Sequence, residues 1–269
     1  MQIQFENVSF AYDDSPAEDP FTLQSINLEI NKGELICITG ATGSGKSTLV
    51  QLINGLLTPT KGCILIDGLK SPFKGAGLQK LRSRIGLLFQ FSEDQLFEAT
   101  ISKDVAFGLK QFGVKETLIA SKVAKAMNLV GLPYETYRDI HPSALSGGEQ
   151  RRAAIAGVIV TEPDVLILDE PTIGLDPRGK KDILDIIGAY HQKGHTIIAI
   201  THDLESFLAY ATRMIIMEQG KIVADANPVE LLASTDCTLI PETVYLATEL
   251  RKCGWDIPKE AINHTALID

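Results

Sequence analysis

The sequence predicts an α/β fold: a core sheet of buried strands, an antiparallel β segment ahead of it and a block of helices inserted into it. Three observations carry this. Short unbroken apolar runs at 35–38, 165–168 and 197–200 have the character of strands buried on both faces. Stretches with helical spacing alternate with them, as in α/β architectures. Between Phe91 and Leu145 the strand-like runs stop, and apolar residues at helical spacing with charged faces replace them.

Taken in order, Ile3, Phe5, Val8 and Phe10, then Ile26, Leu28 and Ile30, alternate as half-buried strands joined by the polar turn DDSPAEDP. Leu35–Ile38 form the first buried strand. Leu49, Leu52, Ile53 and Leu56 follow at i, i+3, i+4 and i+7, one apolar face of a helix. Thr58 to Gly62 make a turn, CILIDG a strand, and Ile85–Phe89 another that leads to Gln90. Ser146, Gly147 and Gly148 open a helix through Arg151, Arg152 and Ile155. Val165–Leu168 end in Asp169-Glu170-Pro171, and a helix near Lys180–Tyr190 precedes strand Thr196–Ile200, which ends in Thr201-His202-Asp203. Strands near Met214–Met217 and Ile222–Ala224 close the core. A main unit over 1–227, with the helical insertion at about 91–160, is followed by a mixed and mainly helical extension, 228–269. No internal repeat and no low-complexity segment is apparent.

The chemistry concentrates at Gly40, Ala41, Thr42, Gly43, Ser44, Gly45, Lys46 and Ser47, a full match to G-x-x-x-x-G-K-[ST] between a strand and a helix. Glycines let the backbone bend and turn its N–H groups toward an anion, and the helix N-terminus adds partial positive charge. Lys46 supplies a full charge to β- and γ-phosphates, and Ser47 an oxygen to Mg²⁺. Chance would give this pattern in such a chain on the order of once in a hundred. It implies binding of a nucleoside triphosphate.

Asp169 stands at the carboxyl end of a buried strand, where ligands bind in open parallel sheets, and is placed to hold Mg²⁺. Glu170 beside it is placed to polarise an attacking water. His202 ends a second such strand and points to the γ-phosphate or the water. Gln90 ends a third and offers an amide that reaches Mg²⁺ and water without adding charge. Tyr12, at the edge of the first sheet, is either a ring that stacks on the base or an ordinary sheet-edge aromatic. Ser146, Gly147 and Gly148 repeat the physics of the first cradle, and one triphosphate has little use for two. Alone, Ser-Gly-Gly reads as an N-cap with a Gly-rich turn; as a second cradle it would serve a nucleotide on a neighbouring chain.

Composition bounds the rest. The 269 residues carry a net charge of −9, which argues against broad contact with nucleic acid or anionic lipid. Cys37, Cys63, Cys237 and Cys253 show no CxxC spacing, which fits a reducing compartment. The start has no signal-peptide pattern, and no apolar run approaches the roughly 18 residues of a spanning helix. Membrane contact is therefore expected only through protein partners.

The set GATGSGKS, Gln90, LSGGEQRR, VLILDE, GLDP and THD, in this order, resembles the ATP-binding subunit of an ABC transporter over about residues 1–225. The resemblance implies a P-loop NTPase (RecA-like) core with antiparallel β and α-helical subdomains. It also implies a head-to-tail dimer, of two copies or of paralogues, with two ATP molecules between phosphate loop and partner signature. By position, Tyr12 would stack on adenine, and Gly43, Gly45, Lys46, Ser47 and Thr48 would hold the phosphates. Gln90 and Asp169 would attend Mg²⁺, with Glu170 as general base and His202 as γ-phosphate sensor. Ser146, Gly147 and Gly148 would make the contact in trans, and Asp176 would lie at the dimer seam. Glu149 stands where the commoner signature has Gln.

Residues 89–108, FQFSEDQLFEATISKDVAFG, resemble energy-coupling-factor (ECF) ATPase subunits, including the cobalt and nickel type, with Ser92 where that group commonly has proline. Glu93, Asp94 and Glu98 form an acidic rim beside Leu96, Phe97 and Phe107, fitted to an arginine of a partner's coupling helix. The implied setting is the cytoplasmic face of the cell membrane, with a transmembrane scaffold and a substrate-binding membrane subunit that takes a vitamin or metal ion. The competing reading is another ABC class: a conventional transporter, or a soluble ATPase acting on nucleic acid, ribosomes or iron–sulphur assembly. No heptad run lies between Gln90 and Leu145, and the chain holds one cassette, which leaves iron–sulphur assembly as the soluble alternative hardest to exclude by size. Glu170 and His202 together disfavour a non-hydrolysing regulatory subunit.

Overall fold

The computed structural model describes residues 1–12, 21–90 and 95–233. Strands β1 (Ile3–Phe10) and β2 (Leu23–Ile30) pair antiparallel, with Ile3 opposite Ile30 and Phe5 opposite Leu28. β4 (Lys61–Ile66) pairs with the other edge of β1 and carries the two-residue β5 (Leu69–Lys70). Among the described residues this sheet runs β2-β1-β4-β5.

The second sheet is built from β3 (Leu35–Thr39), β6 (Ile85–Leu88), β7 (Val165–Asp169), β8 (Thr196–Ile200), β9 (Arg213–Glu218) and β10 (Lys221–Ala226), in the order β10-β9-β3-β8-β7-β6. It is parallel from β6 to β9, and β10 returns antiparallel. β3 and β8 are buried along their whole length, which explains their lack of alternation in sequence. Successive residues of β3 still point to opposite faces. Ile36 and Ile38 pack toward the antiparallel sheet, with Ile3, Phe5 and Ile30, whereas Leu35 and Cys37 pack in the layer that contains the helical block.

Helix α1 (Lys46–Ile53) adds Leu49, Leu52 and Ile53 to the core between the sheets. The expected face extends less far than the spacing suggests. The helix stops at Ile53, Gly55 takes φ +68°, and Leu56 is nearly half exposed beyond the turn. α2 (Gly75–Arg84) was not signalled by periodicity, because it buries Leu81 alone.

The helical block comprises α3 (Ile101–Gln111), α4 (Glu116–Leu129), α5 (Tyr134–Tyr137) and α6 (Gly147–Ile159). Val105, Leu109, Val123, Met127, Ile155 and Ile159 make its interior. α7 (Pro177–His191) starts with Asp176 as N-cap, its carboxylate accepting from Gly179 N at 2.8 Å, and Pro177 in the first turn. α8 (Leu204–Phe207) and α9 (Pro228–Ala233) are short. Cys37 and Cys63 are buried free thiols. Among the described residues no helix is long and apolar enough to cross a membrane. The extension beyond 233, with Cys237, Cys253 and Trp255, lies outside the described residues.

Candidate functional site

The loop between β3 and α1 owes its path to its glycines. Gly40 has φ +145°, and a Cβ there would stand 2.0 Å from the Met217 carbonyl oxygen. Gly45, the N-cap of α1, has φ +100°, and its Cβ would meet Leu23 Cδ2 at 2.6 Å. Gly43 is left-handed too, at φ +82°, with open space around it. Inside this curve the buried Lys46 ammonium donates to Gly40 O at 2.7 Å and to Ala41 O at 2.9 Å, with Ser44 Oγ at 3.4 Å. Burial lowers the pKa of Lys46, against the opposing pull of Glu170 and Asp169.

The ends of β6, β7 and β8 converge on that loop. Ser47 Oγ donates to Asp169 Oδ2 at 3.4 Å. Glu170 is 7 % exposed and non-glycine at φ +49°, a strained conformation that recurs at functional sites. Its Oε2 accepts from the His202 backbone N–H at 3.4 Å, and its Oε1 lies 3.5 Å from His202 Nε2 without forming a hydrogen bond. Desolvation raises the pKa of both Asp169 and Glu170, and His202 opposes the shift in each. Thr42, Gly43, Gly45, Lys46, Ser47, Thr48, Gln90, Asp169, Glu170 and His202 line one pocket of about 300 Å³, with Thr22, Ile173 and Ile200 completing its wall. Gly40, Ala41 and Ser44 stand behind it as the acceptors that seat Lys46.

Tyr12 lies outside that lining but next to it. Its ring is 45 % exposed, stacks edge-on against Phe10 and hydrogen-bonds through its hydroxyl to Thr48 Oγ1 at 3.2 Å.

Ser146, Gly147 and Gly148 do not join this pocket. With Arg152, Gly174, Leu175, Asp176, Arg178, Gly179 and Asp182 they line a separate open depression. Here the structure adds a residue whose part the sequence reading missed. Glu149 closes a capping box: its Oε2 accepts from Ser146 N at 2.8 Å and from Ser146 Oγ at 2.7 Å, and its Oε1 accepts from Tyr137 OH at 2.8 Å. The Ser-x-x-Glu spacing is the available signal for the box, whereas nothing in the spacing announces Tyr137. Arg151 was also missed as a site residue. It is 5 % exposed, and its NH1 donates to Gln90 O at 3.0 Å and Glu170 O at 3.4 Å. Behind His202, Lys180 pairs with Asp203 at 2.6 Å.

A further groove lies between α3 and α6, lined by Gln95, Leu96, Phe97, Asp104, Phe107, Gly108, Ala154, Gly157 and Val158. Phe97, 63 % exposed, meets Phe107 edge-to-face at 4.9 Å. Asp104 accepts from Phe97 N and Glu98 N, at 3.1 and 2.9 Å, and so fixes the segment's path. Gln95 Oε1 is buried with no hydrogen-bond partner among the described residues. Ser92, Glu93 and Asp94 lie outside the described residues; Glu98 is half-buried beside the groove.

The ABC transporter family model matches residues 23–173. The "Energy-coupling factor transporter ATP-binding protein EcfA2" of Clostridium perfringens is 45 % identical over 97 % of this chain and 93 % of its own length. The protein of the same name from Clostridium tetani is 44 % identical over 96 % and 91 %. Among solved structures, cbiO1 of Clostridium perfringens, described as part of the ABC transporter complex cbiONQ, is 36 % identical and superposes with a TM-score of 0.79 over 94 % of this chain and 96 % of that one. The dimeric ATP-binding cassette MJ0796, in a post-hydrolysis state bound to ADP and Pi, gives 0.75 at 27 % identity over 84 % and 98 %.

Proposed function

The chain belongs to the ABC transporter family and is an ATPase with that family's P-loop α/β fold, and from this premise we propose that it is the motor subunit of an ECF-type importer. The observation that carries the catalytic part is the single pocket in which Lys46, Ser47, Gln90, Asp169, Glu170 and His202 converge. ATP is the substrate. Lys46 and the N–H groups of Gly43, Gly45, Ser47 and Thr48 hold its phosphates, and Tyr12 stacks on adenine beside Thr48. Glu170 takes the proton of the attacking water, and His202 senses the γ-phosphate while orienting the Glu170 carboxylate. The donor set fits Mg²⁺: a hydroxyl, a carboxylate and an amide, all hard oxygen ligands, with the phosphates completing the shell. When bound, the ion would neutralise charge on the β- and γ-oxygens.

The separation of the two cradles supports a head-to-tail dimer. Among the described residues none lines both, so Ser146, Gly147 and Gly148 are free to meet the nucleotide of a second ATPase subunit, a copy or a paralogue, with Asp176 at the seam. ATP binding closes the pair, hydrolysis reopens it, and the stroke passes to membrane partners. The groove of Phe97, Phe107 and Gln95, with Glu98 at its side, fits a partner helix that brings an arginine among apolar side chains. We place the chain at the cytoplasmic face of the membrane, held there by a transmembrane scaffold and a small subunit that binds a vitamin or transition-metal ion.

The test is a mild-detergent pull-down of the tagged chain from its own membranes, with mass identification of the partners. Recovery of a scaffold with a small substrate-binding membrane protein is expected. A conventional permease pair would discard the ECF assignment, and recovery without any membrane partner would discard the importer. Reversing Glu93, Asp94 and Glu98 to Lys is expected to uncouple ATPase from transport while ATP binding persists, and unchanged assembly with the membrane partner would remove the acidic rim from the docking site.

A further inference from the structure

Arg151 lies at the junction of the two cradles. It sits on α6, the helix whose first turn is Gly147, Gly148 and Glu149, so the second cradle and this guanidinium belong to one rigid element. Its side chain leaves that helix for the core sheet, where one nitrogen reaches carbonyls just past the ends of two adjacent parallel strands: Gln90 O beyond β6 and Glu170 O beyond β7. Glu170 is thereby held from two sides. Its N–H donates to Ile200 O at 2.9 Å on β8, and its carbonyl accepts from Arg151. A non-glycine residue at φ +49° persists only where its surroundings over-determine it, and these two bonds are part of what does so here.

We infer that Arg151 is a positioning residue that couples occupancy of the Ser146-Gly147-Gly148 cradle to the placement of Glu170 and Gln90 in the chain's own nucleotide pocket. The inference rests on the proposed reading of the two cradles, in which the first serves this chain's ATP and the second the neighbour's. A shift of α6 on loading the second cradle moves the guanidinium, and with it the backbone from which the Glu170 carboxylate and the Gln90 amide project. Arg suits the task because one guanidinium nitrogen carries two N–H donors, one for each carbonyl, on a planar group that stays charged when buried. In the dimer each nucleotide would thus report to the catalytic groups of the opposite pocket.

The test uses the full chain in the complex purified from its membranes, with R151M and R151K beside wild type. ATP affinity, kcat, KM and the Hill coefficient for ATP are measured. R151M is expected to bind ATP as wild type does while kcat falls roughly 10- to 100-fold, the range that misplacement by about an ångström produces. Its Hill coefficient should fall toward one. R151K, with charge retained but on a flexible stem that lacks the planar, pre-oriented guanidinium, should lie between. A purely structural role would instead lower affinity and kcat by the same factor in both variants, which overturns the inference, as does wild-type turnover and cooperativity in R151M. If R151M fails to fold, R151K decides on the same readouts: reduced kcat at unchanged affinity supports the coupling, and wild-type behaviour overturns it. Absence of turnover in wild type would overturn the underlying reading and this inference with it.

Discussion

His202 Nε2 lies 3.5 Å from Glu170 Oε1, an oxygen that is buried and makes no hydrogen bond among the described residues. An unpartnered carboxylate oxygen carries a desolvation penalty, and here that penalty raises the Glu170 pKa while His202 pulls against it. Burial thus raises the proton affinity of this carboxylate, a shift in the direction that suits the general base proposed for it.

Glu170→Gln should preserve the shape of the pocket and abolish the base. Turnover is expected to fall by roughly 10²- to 10⁴-fold, the contribution of a positioned general base, with ATP affinity near wild type. Size-exclusion chromatography with ATP should show the dimer trapped. Substantial residual hydrolysis would take the role away from Glu170.

What could be read from the sequence depended on whether the chemistry is contiguous. The phosphate loop, VLILDE and THD each place strand, turn and functional group within a few residues, so local pattern located Lys46, Asp169, Glu170 and His202 together. The apolar runs of β3, β7 and β8 likewise announced the core sheet. Where a relationship spans distant segments, no pattern shows it. Arg151 meets Gln90 across 61 positions, and Tyr137 finds Glu149 only because α5 folds back on the start of α6. α2 was silent because one buried leucine makes no periodicity, and Leu56 misled because its apolar character extends past the turn at Gly55.

Lys46→Ala tests the charge in the loop. The ammonium sits against Gly40 O and Ala41 O, and Lys46 lines the pocket proposed to receive the phosphates. Hydrogen bonds to charged groups are worth about 1.5–3 kcal/mol, so the Kd for ATP should rise at least roughly tenfold by calorimetry. Adenosine, which lacks phosphates, should bind the variant as it binds wild type. An equal loss for both ligands would show that the loop itself has collapsed.

The glycines should separate by stability. Gly40→Ala places a Cβ 2.0 Å from the Met217 carbonyl at φ +145°, so strain and overpacking add, giving roughly 2–5 kcal/mol in urea denaturation. Gly43→Ala has open space and pays only for its left-handed backbone, about 1–2 kcal/mol. Gly33→Ala, at φ +81° and equally open but outside the phosphate loop, should match Gly43→Ala in stability while leaving ATP affinity unchanged. A loss of ATP affinity in the Gly33 variant as large as in the Gly43 variant would refute a local role for the loop.

Glu149 gives the pH prediction. The Ser146 hydroxyl and backbone N–H, and then Tyr137 OH, hold its carboxyl below the ordinary value of 4.5. Its folded pKa is depressed, so the stability it contributes is complete above about pH 4.5 and is lost as pH falls through the folded value. At neutral pH, Glu149→Gln should lower stability by at most about 1 kcal/mol, since the carboxylate is partly exposed and its charge is screened. Below pH 4.5 the gap between variant and wild type should close, because protonated wild type and the amide then offer the same neutral cap. Paired urea titrations from pH 7 down to 3.5 read this directly. A gap that stays constant across the series would mean that the capping box holds through shape alone, with the charge of Glu149 contributing nothing.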